Sequence, residues 1–524
     1  MNISPIELEV YKNLLSEAAE EMGSTLSRTA FSPNIKERRD YSCAIFNGNG
    51  DLAAQALHIP VHLGSMPHSV RHAIQSIELR SGDVAILNDP FRGGTHLPDL
   101  TMVTPVITPN EPAPLFYVAS RAHHADIGGS SPGSMPLATE LFQEGLIIPP
   151  VKLMSRGEPV QGIWDMILAN VRTPEEREGD LTAQLGALAV GRNRLMELAD
   201  RRGPEEIRLY TKALMDYSES MTRQTIASLP DGTYSFKDFL DNDGLGSGQI
   251  PISVKVTITG DEAVVDFSGS SPQVRGNVNA VEAITLSAVF YVFRSLNEED
   301  IPTNTGGLRP ITVIAPEGLI VNARPPAAVA GGNVETSQRL VDTLLGALAQ
   351  ALPDLIPAAS SGTMNNLSIG GFDPVRKKPF TYYETIGGGM GASPRGPGLS
   401  GVHTHMTNTM NTPIEALEHA YPFQVTRYTL RTDSGGRGRH KGGEGLIREI
   451  KLLSEASVTI LSDRRELPPY GLAGGRNGSK GRNRLIHSTG REDLPGKVNF
   501  TANERDIISI QTPGGGGWGE EDAG

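Results

Sequence analysis

The hydrophobic positions near the start of the chain recur at the spacing of an amphipathic helix. Leu8, Tyr11, Leu15 and Ala18 lie on one face of a helix with 3.6 residues per turn. A Ser-Pro start with a glutamate three residues after the serine is typical of a capped helix, and a later proline ends it. The pattern therefore predicts a helix within residues 4–33.

Alternating apolar and polar positions then predict strands. The segment YSCAIFNGNGDLAAQA predicts a hairpin that turns at Gly-Asn-Gly, and PHSVRHAIQSI predicts a helix. Three further apolar runs, DVAILND, LTMVTPVIT and LFYVASRAHH, predict strands of the same unit. These elements predict an N-terminal α/β unit over residues 1–165.

The pattern changes after residue 165. A Thr-Pro-Glu-Glu start at residue 173 and a Gly-Pro break at residue 203 predict two long helices. The alternating segments GTYSFKDFLDNDG and ISVKVTITGDEAVVDFSG then predict a β-rich insertion. A helical and β-rich middle region is therefore expected over residues 166–275.

Two apolar helices, AVEAITLSAVFYVFRSL and NVETSQRLVDTLLGALAQAL, begin the last region, which continues as a glycine-rich stretch of short strands and closes with TPGGGGWGE. We expect this C-terminal region, over residues 276–524, to complete the active site. The predicted fold is thus mixed α/β and multidomain, with an N-terminal α/β metal-binding unit, a helical and β-rich middle, and a glycine-rich, β-containing C-terminal part.

Composition narrows the class of protein. A chain of 524 residues with 38% hydrophobic and 20% charged residues indicates several packed units, and its net charge of −13 disfavours binding to nucleic acid or anionic lipid. No apolar run approaches the roughly 20 residues that span a bilayer, and the first residues lack the pattern of a signal peptide. The single cysteine, Cys43, allows no intrachain disulfide and is expected to be a small buried residue. A cytoplasmic enzyme fits these features.

Candidate metal ligands cluster in one part of the chain. The strings NDPFRGGTHLPDLTMVTPV and SRAHHADIGG hold three of the twelve histidines, each close to an aspartate. Zinc, manganese and iron accept imidazole nitrogen together with carboxylate oxygen. His96 and Asp99 are expected on a loop that bends at Pro98 and enters a strand at Asp99, because the proline disfavours a helix. Such loops at strand ends commonly carry functional groups.

The adjacent histidines should differ in role, since neighbouring side chains of a strand point to opposite faces. We assign His123 as a metal ligand and His124 to proton handling. Asp126 either orients His124 or lies in the outer shell of the site, and it is the second catalytic candidate, since it could shuttle the proton through water. A further ligand is needed, and Asp40 is the first candidate, with Glu37 as the alternative.

Other polar residues admit two interpretations. Glu335 is either an acid favoured at a helix start or, with the preceding Gly331-Gly332, part of an anion cradle. His58 and His62 are expected near the site in structural roles, because Pro60 between them prevents a regular helix.

Two segments of the C-terminal region are also open to a functional or a structural interpretation. His403 and His405, with Asn408 and Asn411, line a polar pocket or bind a second metal, or belong to a packed polar loop. The string RTDSGGRGRHKGG is either a solvated turn or a contact for an anionic intermediate.

Long strings of the sequence resemble the hydantoinase B/oxoprolinase family. They are ERRDYSCAIFNGNGDLAAQALHIPVHLGSMPHSV, GDVAILNDPFRGGTHLPDLTMVTPV, ASRAHHADIGGSSPGSMP, HTHMTNTMNTPIEALEHAYPFQVTRYTLRTDSGGRGRHKGGEGLIREI and TPGGGGWG. They run in the expected order from about residue 5 to the final glycines. The resemblance implies a metal site at Asp40, His96, Asp99 and one of His123 and His124.

The resemblance also implies a partner. In this family a B subunit works with a separate hydantoinase A-type subunit of the actin-like ATPase class, which phosphorylates the carbonyl oxygen of the substrate. The present sequence has no G-x-x-x-x-G-K-[ST] motif, and its GGGMGASPRG string follows no clear strand-to-helix context. ATP is therefore expected to be used by the partner, within a hetero-oligomer.

The expected function is that of the B subunit of an ATP-dependent cyclic-amide hydrolase of the hydantoinase, N-methylhydantoinase or oxoprolinase type. It would open a phosphorylated small-molecule ring with water bound to a zinc, manganese or iron ion. One alternative is the large subunit of an ATP-dependent ketone carboxylase acting on acetone or acetophenone, although those subunits are longer. Another is a non-catalytic structural subunit, which the set of ligand-type residues disfavours.

Overall fold

The computed structural model of the protein describes residues 3–56, 58–109, 111–297 and 300–521. A seven-stranded antiparallel sheet dominates the N-terminal part, in the spatial order β2-β1-β5-β4-β3-β6-β7. Its strands are β1 (Tyr41–Asn47), β2 (Leu52–Gln55), β3 (Val84–Leu87), β4 (Asp99–Val106), β5 (Phe116–His123), β6 (Val151–Ser155) and β7 (Glu158–Pro159). The predicted hairpin and the three further predicted strands are all present in this sheet.

The register of β4 and β5 explains why two distant histidine segments meet. The strands pair antiparallel with Asp99 opposite His123, so the first residue of β4 faces the last residue of β5. The predicted bend at Pro98 is confirmed, since the strand begins at the next residue. The pairing of β4 with β5 thus brings together Asp99 and His123, which are 24 residues apart in the sequence.

Helices cover this sheet. They are α1 (Pro5–Thr29), α2 (Pro33–Lys36), α3 (Met66–Ser76), α4 (Gln161–Ala169), α5 (Pro174–Arg202) and α6 (Pro204–Ala227). As predicted, the Ser4 hydroxyl accepts a hydrogen bond from the Glu7 backbone N–H, which caps α1. The apolar face of α1 packs against α5 and β1, and α5 also contacts β4 and β5. Helices α1 and α5 thereby bury one face of the sheet.

A second sheet follows in the middle of the chain, with the order β11-β10-β9-β8. It contains β8 (Gly232–Leu240), β9 (Ile250–Thr259), β10 (Glu262–Asp266) and β11 (Ile311–Ile314). Its strands β8 and β9 pack against α8 (Ser337–Leu348), and α7 (Glu282–Ser295) packs on α8. Its fourth strand comes from beyond residue 275, where we expected the middle region to end. One hydrophobic core runs from α1 through the first sheet to α8, so the N-terminal and middle regions are packed as a continuous unit.

The C-terminal part contains two antiparallel sheets with a separate apolar core. One sheet has the order β13-β12-β16-β19 and the other β14-β15-β20-β17-β18. The elements are β12 (Asn366–Asp373), β13 (Lys378–Glu384), α9 (Ile414–Ala420), β14 (Phe423–Arg431), β15 (Gly445–Leu452), β16 (Ala456–Leu461), β17 (Arg482–His487), β18 (Gly490–Leu494), β19 (Lys497–Ala502) and β20 (Ile507–Gln511).

Glycine in this part allows backbones to pack against each other. A Cβ atom added at Gly442 would lie 2.1 Å from the Gly515 carbonyl oxygen, which is too close for any side chain. The closing run of glycines is therefore required by close main-chain packing against the 431–443 segment. None of the helices within the described ranges is long and apolar enough to cross a membrane.

Candidate metal centre

Four side chains surround the Asp99 carboxylate. Asp99 Oδ1 lies 3.1 Å from His96 Nε2 and 3.5 Å from His123 Nδ1, and Oδ2 lies 3.3 Å from His62 Nε2. The Thr95 hydroxyl donates a hydrogen bond to Oδ2 at 2.9 Å. We call His62, His96, Asp99 and His123 the Asp99 cluster. All four residues are buried.

The loop that carries His96 is held by Asn88. The side-chain amide of Asn88 donates hydrogen bonds to the carbonyl oxygens of Leu97 and Leu146 at 2.8 and 2.9 Å and accepts one from the Ile148 N–H at 2.7 Å. Gly94 passes so close that an added Cβ would lie 2.3 Å from the Asn88 carbonyl oxygen. The Gly-Gly pair therefore lets the loop fold back over β3 and presents His96 to Asp99.

The ring of His123 is fixed from the C-terminal part. Tyr383 of β13 stacks on it, with ring centroids 4.5 Å apart and an angle of 9° between the planes. The Tyr383 hydroxyl donates to Asn366 Oδ1 at 2.7 Å, and Asn366 Nδ2 donates to Glu335 Oε1 at 2.7 Å. A chain of contacts from the turn before α8 and from β12 thus orients a side chain of the first sheet.

Asp40 stands at the entrance of β1, beside the same cluster. Its backbone carbonyl accepts a hydrogen bond from the His123 N–H at 3.0 Å, and its side chain lines the pocket next to Asp99 and His123. Arg38 Nη2 lies 3.9 Å from Asp40 Oδ2. Glu37, the alternative ligand, lines a different pocket and does not reach the cluster.

A small pocket opens beside the cluster, with a volume of about 20 Å³, which is room for about one water-sized species such as an ion. Its walls come from the first sheet, from the segment before α8, and from the loop before α9. The lining residues are Asp40, Ile59, Val61, His62, Asp99, His123, Asn333, Val334, Met364, Tyr383, Thr385, Met406 and Thr407. The pocket therefore lies between the first sheet and segments from the second half of the chain.

Asn333 enters this pocket from a π-helical turn, Gly332–Thr336, that leads into α8. Its side-chain amide nitrogen lies 3.1 Å from His96 Nε2, and its Oδ1 is buried without a partner. Glu144 Oε1 accepts the N–H groups of Val329 and Ala330 at 2.9 Å each and so caps the start of this segment. Insertions of this kind often mark functional sites.

The electrostatics favour an ionised Asp99 carboxylate and the neutral forms of His62 and His123. Burial alone would raise the pKa of Asp99, but the charge interaction with His96 and the hydrogen bonds with His123 and His62 outweigh it and hold this pKa well below its usual range. Burial lowers the pKa of both His62 and His123. Ionised carboxylate and neutral imidazole are the forms that bind a metal.

The donor set fits a divalent ion. One ligand atom from each of His96, Asp99 and His123 lies within 4.8 Å of the other two, and within the described ranges this is the one such group of three. Two nitrogen donors and one oxygen donor suit zinc, manganese or iron. With Asp40 at the same pocket, the donors available balance the charge of a dication.

His124 and Asp126 lie on the other side of the strand. The His124 ring faces α5, where Nε2 lies 2.9 Å from Gln184 Oε1. Asp126 accepts hydrogen bonds from the backbone N–H groups of Gly128, Gly133 and Arg172 and forms an ion pair of 2.8 Å with Arg172. Neither residue lines the pocket. Their catalytic assignment stays a prediction, and these contacts correspond to structural roles.

The remaining candidates take structural positions. Glu335 is buried with its pKa raised by burial to about 8, and the Gly332 N–H is already bonded to the Asn277 and Val329 carbonyls. His405 Nε2 lies 3.3 Å from Asp342 Oδ1. These contacts favour the structural interpretation of the Gly-Gly pair and of the histidine-containing loop.

The sequence analysis did not assign three of the residues at this site, namely His62, Asn333 and Tyr383. His62 was expected nearby in a structural role, yet it contacts Asp99 directly. Asn333 and Tyr383 reach the cluster from segments more than 200 residues away along the chain. The spacing of two histidines around Pro60 was the one available signal for His62. The others carry no local pattern, since an asparagine or a tyrosine is common in any packed element.

Known proteins match this chain along nearly its whole length. The profile of the hydantoinase B/oxoprolinase family matches residues 4–521. An uncharacterised protein of Methanocaldococcus jannaschii is 42% identical over 521 residues, covering 98% of this chain and 90% of that protein. 5-Oxoprolinase 1 of Arabidopsis thaliana is 40% identical over 546 residues, and these cover 98% of this chain but 42% of that protein.

Two solved structures have the same fold. The ATP-dependent caprolactamase from Pseudomonas jessenii superposes with a TM-score of 0.93 at 32% identity, covering 99% of this chain and 92% of that one. A nucleotide-free acetone carboxylase superposes with a TM-score of 0.89 at 18% identity, covering 98% and 76% of the two chains. The second likeness concerns the fold alone. With a family profile that spans nearly its whole length, the present chain belongs to the hydantoinase B/oxoprolinase family.

Proposed function

We propose that this chain is the B subunit of an ATP-dependent hydrolase that opens cyclic amides, and that a separate hydantoinase A-type subunit supplies the ATPase activity. The observation that carries the proposal is the buried Asp99 cluster. The chain that holds it superposes on the caprolactamase along almost its whole length. Hydantoins, N-methylhydantoins, 5-oxoproline and related lactams are the substrate candidates. The functional enzyme is then a hetero-oligomer.

The proposed division of labour follows from the chemistry of a ring amide. Such an amide resists attack because its nitrogen donates electron density to the carbonyl carbon. A phosphoryl group placed on the carbonyl oxygen removes this protection and provides a good leaving group. The partner makes the activated ring, since the present sequence carries no phosphate-binding loop, and the present chain completes the ring opening.

Asp40, His96, Asp99 and His123 are the residues to which we assign a divalent zinc, manganese or iron ion. When bound, such an ion supplies Lewis acidity, which makes water a stronger acid and polarises a carbonyl or phosphoryl oxygen. Asp99 stays ionised through its histidine contacts, and Tyr383 keeps the His123 ring in place. The buried walls exclude bulk water, which protects an activated intermediate from unproductive hydrolysis.

The length of the relatives supports a partner. The chain spans 42% of 5-oxoprolinase 1, and we infer that the remainder of that longer protein holds its ATP-using part. The Methanocaldococcus jannaschii protein and the caprolactamase chain are instead covered to 90% and 92%, which supports a B-type chain that receives this activity from a second polypeptide. The interface between the two should be extensive, because obligate subunits bury more surface than transient partners.

The ketone carboxylase alternative rests on weaker ground. Its support is a likeness at 18% identity to a chain of which this one covers 76%, whereas the caprolactamase is covered to 92% at 32% identity. A purely structural subunit is disfavoured because it has no need for a buried carboxylate with three imidazoles around it.

The decisive experiment reconstitutes the chain with a hydantoinase A-type subunit from the same source. Hydantoin, N-methylhydantoin, 5-oxoproline and caprolactam are supplied with ATP, and both ring opening and phosphate release are measured. We expect ring opening of at least one substrate, dependent on both subunits. The Asp99→Asn variant is the matched control and should not open the ring. Carboxylation of acetone with bicarbonate, without ring opening of any amide, would instead establish the carboxylase alternative.

A further inference from the structure

The C-terminal part contains a second pocket in which every charged side chain is a cation. Arg431, Arg465, Lys480 and Arg482 line a cavity of about 630 Å³. The remaining lining residues are neutral, namely Pro468, Asn477, Gly478, Ser479 and Gly481. We call this cavity the basic pocket. It stands out in a chain whose net charge is −13.

These four cations have no acidic partner at ion-pair distance. Among the residues that the structure describes, none of their side chains lies within 4.0 Å of a carboxylate oxygen, whereas Arg484 on the neighbouring part of β17 is paired with Asp493 at 2.7 Å. Like charges brought together without counter-charges repel each other. A bound anion would therefore reduce the repulsion among the four cations.

Arg465 is held rigidly in the wall. Its Nη1 donates hydrogen bonds to Asn365 Oδ1 and to the Asp463 carbonyl oxygen at 2.7 Å each, and Nη2 donates to Asn483 Oδ1 at 2.8 Å. Its Nε is buried and has no hydrogen-bond partner. A Cβ at Gly481 would lie 2.9 Å from that Nε. The glycine thus lets the main chain pack closely against the guanidinium group.

Arg431 is positioned in a similar way. Its Nη1 donates to the carbonyl oxygens of Lys480 and Thr512 at 2.7 and 3.0 Å, so β14, β20 and the loop before β17 are tied together by one guanidinium. The side chains of Lys480 and Arg482 are exposed at the rim. Two guanidinium groups held by hydrogen bonds and two exposed cationic side chains form a suitable receptor for a compact anion.

The charges also perturb each other. Burial lowers the pKa of Arg431, and the positive charges of Arg482 and Arg484 lower it further. Burial lowers the pKa of Arg465 to about 10. A bound anion would oppose both effects, as nearby carboxylates of the protein already do in part.

We propose that the basic pocket binds a phosphate-bearing dianion. Planar guanidinium groups match the geometry of phosphate oxygens, and the glycine-rich rim offers backbone rather than apolar surface. The basic pocket is linked to the metal pocket through the main chain, because Asn365, which accepts a hydrogen bond from Arg465, follows Met364, which lines the metal pocket. If the proposed function holds, the dianion is either the phosphate released or the phosphate carried by the activated ring.

The test uses the isolated full chain without ATP or partner, so its outcome does not depend on the proposed function. Inorganic phosphate and phenyl phosphate are titrated separately by calorimetry, with chloride as the reference anion. Phosphate bound at the metal pocket is excluded by repeating both titrations on the Asp99→Asn variant and on chelator-treated protein. Tighter binding of inorganic phosphate identifies a product site, and tighter binding of phenyl phosphate identifies a site for the phosphorylated substrate.

The variants are Lys480→Gln and Arg482→Gln, alone and together, since both side chains are exposed and their loss should not disturb the fold. We expect each to weaken binding about tenfold and the pair about a hundredfold, as charge-assisted contacts are removed. Arg491→Gln is the matched control, an exposed arginine of β18 outside the pocket, and should bind phosphate as the wild type does. Binding should also persist in the Asp99→Asn variant.

Three results would overturn the proposal. The first is a wild-type chain that binds phosphate no better than chloride. The second is an Arg491→Gln variant that loses as much affinity as the pocket variants, which would indicate a general charge effect. The third is a double variant that binds phosphate normally but no longer associates with the A-type subunit, which would identify the pocket as a protein interface.

Discussion

Two carboxylates, Asp99 and Glu144, are buried to the same degree, yet their surroundings differ in kind. Glu144 accepts two backbone N–H groups, its Oε2 has no partner, and burial raises its pKa to about 8. Asp99 is surrounded by three imidazoles and a hydroxyl, and its pKa is held well below its usual range. Burial alone therefore does not mark a candidate site. The convergence of further donor side chains does.

The two adjacent histidines at the end of β5 also show that burial alone does not mark a site residue. His123 and His124 are neighbours in sequence and are both buried. The first contacts Asp99 and Tyr383, and the second contacts Gln184 of α5. Which face of the sheet a side chain occupies decides what it can do, because strand neighbours point in opposite directions.

The largest effect is expected for Asp99→Asn. The amide removes the negative charge to which His62, His96 and His123 are all directed. Changes outside the ligand shell already cost about 10–100-fold in metal affinity, so we expect a loss of more than about a hundredfold and no detectable ring opening. Elemental analysis after dialysis should find about one dication per wild-type chain and almost none in the variant.

Asp83→Asn is the control for the loss of a buried carboxylate, since Asp83 is bonded to Lys152 and lies away from the cluster. It should keep its metal. Metal retained in Asp99→Asn, or lost equally in both variants, would remove the distinction between this carboxylate and the others.

The next effect separates the two histidines. His123→Ala should lose the ion, because a donor of the cluster is missing. His124→Ala should keep it and should lower the free energy of unfolding by about 1 kcal/mol, the usual worth of a buried hydrogen bond, here with Gln184. Metal content and thermal unfolding of the two variants are compared side by side.

Turnover of the same pair decides the role of His124. We expect His124→Ala to retain activity within about tenfold, because its ring lies behind the strand. A loss of about 10²–10⁴-fold with the metal in place is the size typical of a general acid–base group. That result would establish the proton-handling role for His124.

A smaller effect is expected from Tyr383→Phe. Phenylalanine keeps the stacking on His123 but removes the hydrogen bond to Asn366. Metal affinity should fall by about tenfold, at the low end for outer-shell partners. Tyr382→Phe is the control, because Tyr382 is its buried neighbour on β13 and its hydroxyl is bonded to Glu384 instead. Equal metal affinity in Tyr383→Phe and the wild type would show that the Asn366 contact does not support the site.

Glu144→Gln is expected to have the smallest effect on the metal site, and it should change only the pH dependence of stability. The pKa of Glu144 is raised from 4.5 to about 8 in the folded protein, so between these values the folded state holds a proton that the unfolded chain has released. Stability therefore falls as pH rises through this window. In the glutamine variant, the drop in the free energy of unfolding across this window should be smaller by about 1–3 kcal/mol. Its metal content should stay unchanged.

Urea unfolding at pH 5 and pH 8.5 measures this slope for the variant and the wild type. The exposed neighbour Glu140 provides the control Glu140→Gln, which should leave the slope as it is. An unchanged slope in Glu144→Gln would mean that the carboxylate is already ionised in the folded protein, like Asp99.

Much of the fold could be predicted from local pattern. The start of α1 at Pro5, the break between α5 and α6 at Gly203, and the β1–β2 hairpin all followed from capping and turn residues. The pattern did not reveal that β11 joins β10 across 44 residues that contain α7. Pairing between distant strands depends on packing, for which a single sequence carries no local signal.

The sequence by itself determined which residues have the chemistry to hold a metal, since His96, Asp99 and His123 are donor types at the ends of predicted strands. Only the tertiary structure decided which of them meet. The β4–β5 register set Asp99 opposite His123, strand geometry turned His124 toward α5, and distant segments supplied His62, Asn333 and Tyr383. The physical reason is that side-chain type is a property of one position, whereas convergence on one point depends on how sheets and helices pack together.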